Sequence, residues 1–213
     1  MSNIVETSIN LKRTTLFETH TLLKGHMDTL TIGDPARLET DIGPVIDDSA
    51  KEMLLRHLKE YSSKGKIIHQ CQLNPDTSAG HFVTPTAIKV DGIGELEKEN
   101  FGPLLHVPRY EHDRLDQVLD EINQCGYGLT LAVHSRIEQR AEYIRQKVNV
   151  GNVYVNRNMV GAVVGVQPFG DRGLSGAGPK AGGPSYLQFF CCEQTYTVST
   201  AAIGGNASLL ALS

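Results

Sequence analysis

Leu16, Phe17, His20, Leu23, Met27 and Leu30 lie at helical spacing, and the spacing predicts a helix over 16–30. TIGDP then breaks the pattern with Gly33 and Pro35. Asp47 or Asp48 can cap a second helix, whose apolar stripe is Met53, Leu54, Leu58 and Tyr61 and which Gly65 closes. KIIHQCQL and FVTPTAIKV read as strands around the turn-rich NPDTSAG, and LLHVPRY as a further strand. DRLDQVLDEINQCG turns Leu115, Val118, Leu119 and Ile122 inward as a helix, followed by the strand LTLAVHS. IEQRAEYIRQKV places Ile137, Ala141 and Ile144 on one helical face, and NVGNVYVN is a strand of little polarity. Strands alternating with helices predict an α/β fold with a largely parallel sheet flanked by helices. Near the end, EQTYTVST alternates as a half-exposed strand does.

The 213 residues fit one large domain or two small ones, and 40% hydrophobic residues suffice for a core. A formal charge of -4 argues against a general nucleic-acid or anionic-membrane surface. No apolar run approaches the roughly 20 residues of a membrane span. The opening MSNIVETSINLKRTTLF carries no apolar stretch behind a basic one, so no secretory signal is expected. Cys71, Cys125, Cys191 and Cys192 show no C-x-x-C spacing, which fits reduced thiols in the cytoplasm better than a disulfide framework. The eight histidines show no paired ligand spacing, so no metal site is expected.

The densest run of glycine lies between Gly161 and Gly183, with eight of the chain's 21 glycines and with Pro168, Pro179 among them. A Walker-type phosphate loop needs Ser or Thr after its Gly-Lys, but Lys180 follows a proline and precedes Ala181. Gly173, Gly176 and Gly178 reverse the dinucleotide-binding spacing, and no helix clearly follows. Phe169, Leu174 and Tyr186 are large apolar groups that flexible linkers lack. What remains is an ordered loop whose backbone closely approaches something else.

The run GNVYVNRNMVGAVVGVQPFGDRGLSGAGPKAGGPSYL resembles the C-terminal substrate loop of aldehyde dehydrogenases. GVQPFG and SGAGPKAGGP are similar more narrowly to 1-pyrroline-5-carboxylate (glutamate semialdehyde) dehydrogenases. ELEKENFGPLLHV resembles the family's E-x-F-G-P cofactor motif, and TIGDP, TDIGPVID and GYGLTLAVHS resemble family landmarks in the same order. TYTVSTAAIGGNASLLAL resembles the terminal motif of bacterial proline utilization A proteins, bifunctional flavoproteins that oxidise proline to glutamate. The resemblance implies three parts. Residues 1–15 match nothing, 16–190 resemble the C-terminal half of the dehydrogenase, and 191–213 resemble its oligomerisation strand and terminal motif.

On this resemblance, Glu99 holds the nicotinamide-side ribose hydroxyls of NAD, for which a carboxylate is a double acceptor. Phe101 packs near the nicotinamide. Gly161 and Ala162 anchor the carboxylate of glutamate semialdehyde through backbone N–H groups, and Phe169 walls the aliphatic part of that substrate. The family's nucleophilic cysteine lies in a G-Q-x-C segment just before the first helix, where this chain has INLKRTTLF. No catalytic residue is therefore assigned, and weak or no NAD binding and no activity are expected of the chain alone. The family's F-G-G reads Phe169-Gly170-Asp171 here, a change that would cost about 1 kcal/mol if position 171 had positive φ. A different kind of function is a non-catalytic assembly module, a homo-oligomer whose strand QTYTVST adds to a partner's sheet edge.

Overall fold

A computed structural model describes residues 13–96, 98–159, 161–163, 165–176 and 178–199, with side chains from residue 19 onward except that of residue 112. Helix α1 (Arg13–Asp28) and helix α2 (Asp48–Ser63) come first. They are followed by strands β1 (Ile67–Gln70), β2 (Thr86–Val90) and β3 (Leu104–Pro108). Helix α3 (Leu115–Gln124) leads to β4 (Tyr127–Gly128) and β5 (Thr130–Val133). Helix α4 (Glu138–Lys147), β6 (Asn152–Val155) and β7 (Arg172–Gly173) complete the order. The α/β alternation is as expected.

Capping chemistry sets the limits of α2. Asp47 is the cap, its carboxylate accepting from the Ala50 N–H at 2.8 Å. At the other end Lys66 N–H donates to Tyr61 O and Gly65 N–H to Ser62 O, each at 3.0 Å. That pair of bonds is a Schellman stop, and Gly65 supplies the positive φ of 65° it requires. Leu54, Leu58 and Tyr61 are buried against Ile88, Val90 and Leu104 of the strands below and against Val83, which precedes β2.

The sheet differs from expectation. Instead of one largely parallel sheet, the described strands form three small ones. β2–β3 and β5–β6 are parallel pairs, while β1–β2 and β4–β7 are antiparallel. The physical reason lies in the connections. The β1–β2 link contains one short 3-10 turn and no α-helix, so the chain simply folds back. β7 belongs to the glycine loop, which returns against β4. Among the described residues, only β5–α4–β6 is a parallel unit crossed by an α-helix.

Three apolar clusters follow this division. Met27, Ile32, Cys71, Phe82 and Ala87 pack together beside α1. A second cluster lies beneath α2. The third joins Leu119 and Ile122 of α3, Ala141 and Ile144 of α4, and Leu131 and Val133 of β5. Ile137 departs from the expected inward face: it caps α4 and is 54% exposed. Its extended backbone precedes the helix and turns the residue away from the Ala141–Ile144 stripe. Residues 191–199 form no strand within this chain, and 200–213 lie outside the described residues.

Candidate functional site

Glu99 and Phe101 stand on the turn that feeds β3. Thr86 N–H donates to Pro103 O at 3.0 Å and Leu104 N–H to Gly102 O at 2.8 Å, so the turn is stitched to the start of the parallel pair. A Cβ at Gly102 would stand 2.4 Å from Leu54 Cδ1, and Leu54 is among the largest fully buried side chains. Only glycine lets the backbone settle onto α2 at this depth. Asn100 is buried beside it, its Nδ2 donating to Lys98 O at 3.3 Å. With its neighbours pinned on both sides, Phe101 is left 54% exposed and Glu99 half-buried. Phe101 thus offers an exposed ring, and Glu99 a half-buried carboxylate two residues earlier, on the same turn.

Gly161, Ala162 and Phe169 stand on the glycine loop, and buried polar groups of β6 tie that loop down. Asn152, buried on β6, donates from Nδ2 to Pro168 O at 3.1 Å and accepts from the Gly170 N–H at 3.4 Å. The Lys180 ammonium donates to Gly151 O and, at 3.1 Å, to Asn152 Oδ1. Its charge is spent inside the fold, against the phosphate-binding alternative. Phe169 and Ala181 exchange N–H···O bonds of 3.1 and 2.8 Å, which closes the neck of the loop. A Cβ at Gly151 would lie 1.8 Å from Gly170 O, so this is the close backbone approach that the glycines imply.

Within the loop, Gly161 has φ 72° and its carbonyl accepts from the hydroxyl of buried Tyr154 at 2.8 Å. Its own N–H donates to Met159 O at 3.1 Å. One of the two expected anchor donors is thus engaged internally and would have to turn to meet a carboxylate. Val163 N–H is capped by Gln167 Oε1 at 3.1 Å. Among the described residues the only non-glycine with positive φ is Asn156, so Asp171 carries no left-handed strain. The Asp171 carboxylate lies against Gly176, where a Cβ would meet its oxygens at 2.6 and 2.7 Å.

The structure therefore gathers Gly161, Ala162 and Phe169 on one tethered loop and puts Glu99 and Phe101 on another segment. None of the five lines the cavity of about 600 Å³ under the loop, bounded by Gly151, Asp171 and Lys180, among others. Nor do they line the cavity of about 220 Å³ at the far ends of β2 and β3. Sequence reasoning missed Asn152, Tyr154 and Lys180, which hold the loop. The readable signal was an amide, Asn152, in the middle of NVGNVYVN, a strand of little polarity whose other two amides stand at its ends. Cys71 is buried, donates to Met27 O at 3.3 Å, and burial followed by the Asp28 charge pushes its thiol up, opposite to what a nucleophile needs.

The chain belongs to the aldehyde dehydrogenase family, whose family model matches residues 11–196. It is 53% identical over 174 residues to the bifunctional protein PutA of Klebsiella aerogenes, covering 79% of this chain and 13% of that protein. The structure superposes on proline utilization A (PutA) of Bradyrhizobium japonicum with a TM-score of 0.82 at 46% identity, over 90% of this chain and 19% of that one. A 1-pyrroline-5-carboxylate dehydrogenase from Thermus with bound NAD aligns with a TM-score of 0.67 at 33% identity, over 78% of this chain and 32% of that one. The chain thus spans less than a third of each of these relatives.

Proposed function

We propose that this chain supplies part of the NAD and substrate contacts of a 1-pyrroline-5-carboxylate dehydrogenase acting in proline catabolism. The reaction converts glutamate γ-semialdehyde, NAD and water to glutamate and NADH. Glu99 would accept hydrogen bonds from the ribose diol and Phe101 would face the nicotinamide. Gly161 and Ala162 would anchor the substrate carboxylate, and Phe169 would wall its methylene chain. One observation carries the reading: the aldehyde dehydrogenase match spans residues 11–196, a range that includes all five residues, and the chain is similar to both PutA and a stand-alone 1-pyrroline-5-carboxylate dehydrogenase. The NAD assignment draws on the Thermus relative and on the exposed ring beside Glu99.

The chain alone is expected to be inactive, because no thiol stands where the family resemblance puts its nucleophile and Cys71 is held as a buried thiol. The test is NADH absorbance with the purified chain at high concentration, glutamate semialdehyde and NAD. Silence at the level of a heat-killed control is expected, and turnover would overturn the inactive reading. Calorimetry with NAD should show weak binding or none. A tight complex would mean that the contacts on this chain are more complete than stated.

A second reading, an assembly role for the C-terminal strand, is favoured by the exposure of Leu187, Phe189, Phe190 and Tyr196. Sedimentation of the chain as a strict monomer would remove it.

A further inference from the structure

Where α2 meets β3 stand two histidines that neither the cofactor nor the substrate contacts use. His57 on α2 and His106 on β3 meet Nε2 to Nε2 at 2.8 Å, with their rings edge-on at 81°. Tyr61, one turn along α2, packs against both rings. His106 is only 4% exposed. At this separation one ring donates through Nε2–H, and the other presents a bare Nε2 and so carries its proton on Nδ1. The pair can take up a single extra proton only by placing a charge on buried His106 or on half-buried His57. It cannot take up two, since neither Nε2 would then keep a lone pair.

The charges around the pair do not remove that constraint. On α2 stand Glu60, held by Lys64 at 2.5 Å, and Lys64 itself. From the turn after β2 come Glu95 and Lys98. Glu95 in turn accepts from Lys66 at 2.8 Å, which also binds Asp91 at 2.9 Å. Burial dominates and lowers the His57 pKa despite Glu60 and Glu95. Burial first, then the proximity of His57, pushes His106 down to about 4.

The same two elements clamp the turn described above, because Gly102 rests on Leu54 just before His57 on α2, and β3 begins at Leu104. We propose that His57 and His106 form an acid-sensitive latch that fixes α2 on β3, holding the Glu99–Pro103 turn closed at neutral pH and releasing it in acid. The meaning of that turn for NAD rests on the function proposed above, whereas the latch itself does not. Its sign follows from linkage. A base that binds protons less readily folded than unfolded loses stability as pH falls from about 6.5 toward about 4.

Long-range proton–nitrogen NMR of the histidine rings in the full chain, between pH 4 and 8, tests the latch without NAD or substrate. One member of the pair should show the Nδ1–H tautomer at pH 7, and His106 should titrate at least about one unit below the ordinary value near 6.5. Amide exchange, corrected for its intrinsic pH dependence, should speed up about tenfold in residues 99–104 at pH 5, while β5 and β6 stay protected. His106→Gln should abolish the acid-dependent part of that exchange. If this variant fails to fold, the wild-type titration and exchange still decide. Titration of His106 near 6.5, two Nε2–H tautomers, or an acid-insensitive turn would each overturn the proposal.

Discussion

The ground beneath α2 and the segment after residue 186 treat apolar side chains in opposite ways. Around β2, Leu54, Ile88, Val83 and Val90 are almost wholly withdrawn from water by this chain's own helix and strands. After the glycine loop, Leu187, Phe189, Phe190 and Tyr196 stand largely in water, and Phe190 meets the rings of Tyr186 and Phe189 in T-shaped contacts. The first region has closed its hydrophobic account within one chain. The second carries apolar surface on a backbone that forms no ladder here. Stability should therefore reside in the first region and association in the second.

Leu54→Ala should give the largest effect, a loss of about 3–4 kcal/mol read from chemical denaturation, since the cavity opens beneath both α2 and Gly102. Gly151→Ala comes next, at about 2–3 kcal/mol, because the new Cβ meets Gly170 O. Limited proteolysis within 166–186 should accelerate in step. Lys180→Met removes the donor to Gly151 O and Asn152 Oδ1 and should cost about 1–2 kcal/mol, with α2 unaffected in amide exchange. Phe190→Ser should change stability by less than about 0.5 kcal/mol while weakening any self-association seen by sedimentation. If Phe190→Ser cost as much as Leu54→Ala, the contrast between the regions would fail.

Much of the fold was legible because its signals are local. The Asp47 cap, the Gly65 stop and the stripe through Leu54, Leu58 and Tyr61 all act within one helix, and periodicity exposes them. Strand lengths were overstated. FVTPTAIKV shortens to Thr86–Val90 because pairing with β3 starts at Leu104, and that limit belongs to the partner strand. Ile137 was misplaced because helical spacing does not tell a cap from a first turn. For the candidate site, motif resemblance marked Glu99, Phe101, Gly161, Ala162 and Phe169, but not the internal bond from the Gly161 N–H to Met159 O. That bond depends on how the loop closes, which no spacing records.

The sequence by itself determined the α/β alternation, both ends of α2 and the close backbone approach made by the glycine loop. Each follows from propensity, capping or the conformational freedom of glycine along a few consecutive residues. Tertiary structure alone decided that the sheet breaks into mixed pieces, that Lys180 turns inward to Gly151, and that His57 meets His106 across 49 residues. Those outcomes depend on which distant groups come within hydrogen-bonding reach, and only the packed chain fixes that distance.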